Sequence, residues 1–167
     1  MKIYLVGYMG SGKSTIGKKL ANSLGLEHID LDWFFEKTYK ISVHHFFGKY
    51  DEKAFRLIEH QLVQRTSKLD YCVISTGGGT PCFHGNMDII NQNGFSVYIR
   101  MRPDSLFERL KNSKRSRPRI SHLSDDDLMK RINDDLDLRE SFYEMAQLEV
   151  EGEDFDVAML AEKIRSA

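Results

Sequence analysis

The chain has 167 residues, 41% hydrophobic and 29% charged, which is enough apolar material for one core and leaves little for a second, so a single domain over 1–167 is expected. Its 24 Lys and Arg balance 25 Asp and Glu to a formal charge of −1, which excludes whole-molecule attraction to nucleic acid or anionic lipid and confines any polyanion binding to a local patch. The N-terminal residues contain neither an apolar run of bilayer length nor a small-residue cleavage site, so the expectation is a cytoplasmic monomer with no nucleic-acid or membrane partner.

In chain order, the first predicted strand, 3–6, runs directly into Gly7-Tyr8-Met9-Gly10-Ser11-Gly12-Lys13-Ser14, which fits G-x-x-x-x-G-K-[ST]. Ile16, Leu20 and Leu24 then recur at four-residue spacing before Gly25, the pattern of a helix with a glycine stop. Strand, glycine loop and helix N-terminus together make a phosphate cradle: backbone N–H groups curl around phosphate oxygens and the helix end adds partial positive charge. Lys13 is expected to reach the β- and γ-phosphates and Ser14 to ligate Mg²⁺, so the nucleotide contacts are Gly10, Ser11, Gly12, Lys13, Ser14 and their neighbour Thr15.

A weaker strand at 26–29 leads to Asp30 and Asp32, whose spacing of two in an extended chain places both carboxylates on one side, at the sheet end that faces a ligand crevice. One suits hydrated Mg²⁺ and the other suits an acceptor hydroxyl and its proton, although Asp32 is also a plausible cap for a helix starting at Trp33. Arg56 and Glu59 stand three apart on a predicted helix, where a surface ion pair is the simplest account. The strand 71–74 contains Cys72 and is followed by Thr76 and then Gly77-Gly78-Gly79, which lets a ligand approach the backbone closely. Cys72 and Cys82 show no metal-ligand or disulfide spacing and read as small buried hydrophobes.

After a strand at 95–99 come a helix at 103–112 opening on Pro103-Asp104 and a longer one at 125–146 with Asp125 as its cap. Between them Arg109, Lys111, Lys114, Arg115, Arg117 and Arg119 form a basic stretch without an interleaved aromatic, which suits a lid over ATP phosphates better than a nucleic-acid patch. On the longer helix, Arg139 falls about 20° from Leu128 at ~100° per residue, on the stripe shared with Ile132 and Leu136. An inward arginine needs an anion, either an internal carboxylate or one on a bound substrate. A short strand at 148–150 and an amphipathic helix at 153–166 close the chain. Strands alternating with helices predict an α/β fold with a parallel sheet covered on both faces. No guanine-reading segment follows a strand, so an ATP-dependent small-molecule kinase is favoured over a GTPase switch.

Taken together, the loop at 7–14, Asp30-Leu31-Asp32, Glu52-x-x-Phe55-Arg56-x-x-Glu59, Thr76-Gly77-Gly78-Gly79, Arg117-Pro118, and Arg139 with Tyr143 four residues on resemble the shikimate kinase family over almost the whole chain. The resemblance implies a nucleoside-monophosphate-kinase-like, three-layer α/β/α P-loop fold with a five-stranded parallel sheet, a substrate-binding insertion at about 32–60 and a mobile lid at about 111–124. It implies phosphate transfer from MgATP to the 3-hydroxyl of shikimate, on the route to chorismate and aromatic amino acids. Asp32, Arg56, Gly78 and Arg139 would hold shikimate, with Asp32 at the reacting hydroxyl. Lys13, Ser14 and Asp30 would serve the phosphates and Mg²⁺, Arg117 would act from the lid on the transferring phosphate, and Arg109 would flank the adenine. His44-His45-Phe46-Phe47-Gly48 and Arg119-Ile120 depart from the family pattern, and the adjacent histidines read as an exposed pair. A kinase of another hydroxy acid such as gluconate, or a nucleotide-binding module without catalysis, are the rival readings.

Overall fold

The structure, a computed structural model, describes residues 1–113 and 120–166. Five strands, β1 (Lys2–Val6), β2 (Glu27–Asp30), β3 (Cys72–Ser75), β4 (Phe95–Arg100) and β5 (Leu148–Glu151), form one sheet in the order β2-β3-β1-β4-β5. Every pairing is parallel, with Lys2 opposite Cys72 and Ile3 opposite Phe95. Parallel neighbours require crossovers, and among the described residues seven helices lie in them, α1 (Lys13–Leu24), α2 (Leu31–Tyr39), α3 (Val43–Lys49), α4 (Glu52–Thr66), α5 (Asn86–Asn93), α6 (Pro103–Lys111) and α7 (Asp125–Tyr143), with α8 (Val157–Ser166) following the last strand.

The period-2 alternation of β1 divides the core. Ile3 and Leu5 pack with Ile16 and Leu20 of α1 and with Leu160 and Ile164 of α8, whereas Tyr4 and Val6 face Val63, Met87, Leu106 and Ile132 from α4 to α7. Both sheet faces are therefore buried, as the apolar strand runs require. A third cluster of Phe35, Phe46, Phe55 and Leu62 holds α2, α3 and α4 together outside the sheet. Because all strands point the same way, the segments after β1, β2 and β3 emerge on one edge, where the strand order reverses and ligands bind in open α/β sheets.

At three helix N-termini the structure departs from the sequence expectation, because a side chain captures backbone N–H groups earlier or later than periodicity suggests. The Asp30 carboxylate accepts from the amides of Asp32 and Trp33, so α2 starts at Leu31, with Asp30 rather than Asp32 as its cap. Asp32 consequently lies in the first turn of a helix and not on an extended strand. Ser124, not Asp125, caps α7 by accepting from Asp127, and α7 stops at Tyr143. Asp156 accepts from Ala158, so the closing helix begins at Val157 instead of 153. Among the described residues no helix is long and apolar enough to cross a membrane.

Candidate functional site

The loop between β1 and α1 is built from backbone conformations that side chains resist: φ is +141° at Gly7, +83° at Gly10 and +92° at Gly12. Leu110 packs so closely on Gly10 that a Cβ there would lie 3.0 Å from it, and a Cβ on Gly12 would lie 3.0 Å from the Arg109 guanidinium. Arg109 of α6 thus stands over the start of α1. Ser11 is fully buried, and Lys13, also buried, donates to the carbonyl oxygens of Gly7 at 2.7 Å and Tyr8 at 2.8 Å, which keeps its ammonium beside the loop. Ser14 and Thr15 are exposed on the first turn of α1.

Ser14 Oγ donates to Asp30 Oδ2, while Asp30 Oδ1 caps α2. A serine hydroxyl and one carboxylate are hard oxygen donors, and Mg²⁺ bound with a nucleotide takes only one or two protein carboxylates beside phosphate and water oxygens. The pair therefore fits Mg²⁺, and no larger cluster of His, Cys, Asp and Glu suited to a metal occurs among the described residues. The His44 and His45 rings are exposed and stack on each other with centroids 5.4 Å apart.

Asp32 is solvent-exposed in the first turn of α2, yet protein atoms crowd round it at the mouth of the cleft. That enclosure, followed by the negative charges of Asp30 and Glu59, pushes its pKa up to about 6 against the lowering pull of Lys13. A carboxylate so tuned ionises near neutrality and holds a proton more readily than an open aspartate does.

The Arg56–Glu59 pair is not on the surface. Both side chains are 5% exposed, and Arg56 Nη1 donates to Glu59 Oε2 at 2.9 Å. Arg56 also donates to Glu52 Oε1 at 3.0 Å and lies 4.4 Å over the Phe83 ring. Glu59 in turn accepts from Thr80 Oγ1 at 2.6 Å, so the guanidinium is fixed on every side named.

The glycine run is the hub of the site. A Cβ on Gly77 would sit 3.5 Å from Asp32 Oδ1 and 3.2 Å from Glu59 Oε1; on Gly78, 2.9 Å from the Met9 amide nitrogen in the phosphate loop; on Gly79, 2.4 Å from Arg56 Nη2. Gly78 O accepts from Tyr143 Oη of α7. The Thr76 hydroxyl is buried and donates to Leu5 O at 2.9 Å.

Arg139 faces inward as its stripe predicted, with 13% of the side chain exposed. Its internal anion is Asp135, at 3.8 Å, and burial pushes the nearby Cys82 thiol up to about 11 despite the lowering pull of Arg139 and Arg56. Both arginines therefore act on one thiol at the same end of the cleft. Cys82 is only half-buried, unlike Cys72. The structure brings Lys13, Ser14, Asp30, Asp32, Arg56, Gly78 and Arg139 to one sheet edge. Arg117 and the centre of the expected lid lie outside the described residues. Sequence reasoning missed Thr80 and Phe83, which no local pattern marks. It also missed Asp135, which spacing could have found, since it stands seven residues after Leu128 and four before Arg139 on the inward stripe.

Amides suited to phosphate on one side, guanidinium groups on the other and a near-neutral carboxylate between them are what a P-loop phosphotransferase acting on a small acid requires. A family model described as Shikimate kinase matches residues 9–167. The shikimate kinase of Bacteroides thetaiotaomicron is 41% identical over 147 residues, covering 88% of this chain and 84% of that one. A crystal structure of a shikimate kinase from the same species superposes with a TM-score of 0.93 at 35% identity, covering 99% of this chain and 97% of that one. The shikimate kinase of Acinetobacter baumannii in complex with shikimate does so with a TM-score of 0.86 at 30% identity, over 99% of this chain and 90% of that one. The chain belongs to the shikimate kinase family.

Proposed function

We propose that this protein transfers the γ-phosphate of ATP to the 3-hydroxyl of shikimate, giving shikimate 3-phosphate and ADP in the route to chorismate. The observation that supports it most is the glycine run 77–79, where the space a Cβ would take is bordered in turn by the Asp32–Glu59 carboxylates, the phosphate loop and Arg56. An acceptor laid on that backbone would have a base at one end, its carboxylate near Arg56 and Arg139 at the other, and the phosphates alongside.

In the reaction, Asp32 takes the proton of the 3-hydroxyl as that oxygen's electron pair forms a bond to the γ-phosphorus. The bond from phosphorus to the bridging oxygen breaks, and ADP leaves with its electrons. Lys13 and the amides of Gly10 to Thr15 stabilise the charge on the transferring group, and Arg109 borders the nucleotide. Ser14 and Asp30 would hold Mg²⁺, which when bound neutralises charge between the β- and γ-phosphates. Arg117 keeps the role that the resemblance implies. The segment 32–60, with its own aromatic cluster, serves as the acceptor-binding insertion. The protein works as a cytoplasmic monomer.

The test is ADP release from MgATP with shikimate, with gluconate and without acceptor, with the product identified by mass. Turnover with shikimate alone, yielding a monophosphorylated acid, is expected. Absence of turnover with shikimate while gluconate is phosphorylated would overturn the substrate assignment.

A further inference from the structure

Beside the residues already assigned, the cleft contains a buried polar link that the mechanism does not use. Tyr8, the second residue of the phosphate loop, is 2% exposed, and its hydroxyl donates to Asp135 Oδ2 at 2.8 Å. Arg131 Nε donates to the same oxygen at 3.0 Å. Asp135 itself is 6% exposed, so both contacts hold it in a low-dielectric setting where a hydrogen-bonded carboxylate is strongly constrained. Its other oxygen, Oδ1, faces Arg139 at 3.8 Å, too long for a hydrogen bond and close enough for charge to orient the guanidinium. Arg139 also stands 5.9 Å from the Tyr8 ring centroid.

We propose that Asp135, fixed by Tyr8 and Arg131, is a positioning residue that aims Arg139 at the carboxylate of the acceptor. The proposal rests on reading the cleft as a site for a carboxylated acceptor. Three features carry it. First, Asp135 spends its stronger contacts on Tyr8 and Arg131, so it orients Arg139 without tying up that residue's donors in a close pair. Secondly, Asp135 with Arg131 and Arg139 sums to one positive charge, which an acceptor carboxylate neutralises. Thirdly, Tyr8 also uses its carbonyl oxygen to accept from Lys13 at 2.8 Å, so the loop residue beside the ATP-binding lysine anchors the group that aims the acceptor-binding arginine. Arg56 needs no such help, being held by Glu52, Glu59 and Phe83.

The experiment compares Asp135→Asn, Asp135→Glu, Tyr8→Phe and the Tyr8→Phe/Asp135→Asn double variant by steady-state kinetics. Asp135→Asn keeps the size and one acceptor oxygen for Tyr8 and Arg131, but removes the charge and replaces the oxygen facing Arg139 with an NH2 donor. It is expected to raise the KM for shikimate about tenfold while leaving the KM for ATP and kcat within about twofold, and Asp135→Glu should recover part of the loss. Tyr8→Phe should raise the KM for shikimate less, and should add little in the Asp135→Asn background because both act through one carboxylate. An unchanged or lower KM for shikimate in Asp135→Asn, or equal rises for both substrates, would overturn the proposal. Should the wild type not phosphorylate shikimate at all, the functional reading fails, and the Arg139 Nη–H resonances, on the group that faces Asp135, still decide this one. A slowly exchanging signal that averages in Asp135→Asn supports it; the same signal in both proteins overturns it.

Discussion

Asp32 carries its charge where folding would prefer it neutral, because the enclosing cleft, Asp30 and Glu59 all favour the protonated form. With a pKa pushed up to about 6, the residue loses its capacity as a base as pH falls through that value. The acid limb of kcat/KM should therefore lie near pH 6, and a limb near pH 4 would show an unperturbed carboxylate. Stability runs the other way. A carboxyl whose folded-state pKa is raised contributes stability below its unfolded value, and that contribution disappears as pH rises through the folded value. Asp32→Asn should hence cut phosphoryl transfer by about two or more orders of magnitude while retaining nucleotide. At about pH 7.5 it should also melt about 2–4 °C higher than wild type, as ~1 kcal/mol gives a chain of this size after discounting for solvent at the side chain. The gap should close towards pH 4.5, and a variant melting lower at both values would contradict this account. A second residue-scale case is Gly79→Ala, whose Cβ would lie 2.4 Å from Arg56 Nη2. Glu52, Glu59 and Phe83 leave that guanidinium no easy retreat, so a rise of about tenfold or more in the KM for shikimate is expected, with little change for ATP, in initial-rate assays.

Among the elements, the α2–α4 unit owes its shape to aromatic packing and not to the sheet. Phe35 is 1% exposed and its ring lies 5.3 Å from Phe55 and 5.4 Å from Phe46. Phe35→Ala should lower unfolding free energy by about 3–5 kcal/mol, read from denaturant melts. It should also weaken shikimate more than ATP, since α4 carries Arg56 and Glu59; equal weakening would mean that the unit is not specific to the acceptor. The departure at His44–Gly48 is absorbed here, with Phe46 turned into this cluster and both histidines left outside. What could be read from sequence follows the range of the forces involved. The phosphate loop, the five strands and the inward turn of Arg139 depend on neighbours along the chain, so spacing revealed them. The burial of Arg56 with Glu59 depends on Gly79 and Phe83, more than twenty residues away, and no local pattern distinguishes it from a surface pair. Caps shift by one or two residues where several candidates stand together, as at Ser124-Asp125 and Asp30–Asp32, because only the folded turn selects which side chain reaches the amides.

At the scale of the molecule, parallel strands deliver the phosphate loop, Asp30 and the glycine run to one edge, so both proposed substrates would be bound by a surface that exists only in the folded chain. Each ligand should then stabilise the protein by mass action, about 2.7 kcal/mol at a hundred times its dissociation constant, or roughly 5–10 °C at this chain length. The two contributions draw on different parts of the edge and should separate by mutation. Lys13 is tied to the carbonyls of Gly7 and Tyr8, so Lys13→Met removes the charge facing phosphate and loosens the loop at once. The thermal shift given by MgADP should be lost in that variant, while the shift given by shikimate persists, because Arg56 is anchored by α4 and Phe83 and does not depend on the lysine. Arg56→Met should show the converse, with the MgADP shift kept and the shikimate shift lost. Loss of both shifts in either single variant would mean that the edge forms as one cooperative unit, with no independent acceptor wall for Arg139 and Arg56 to build.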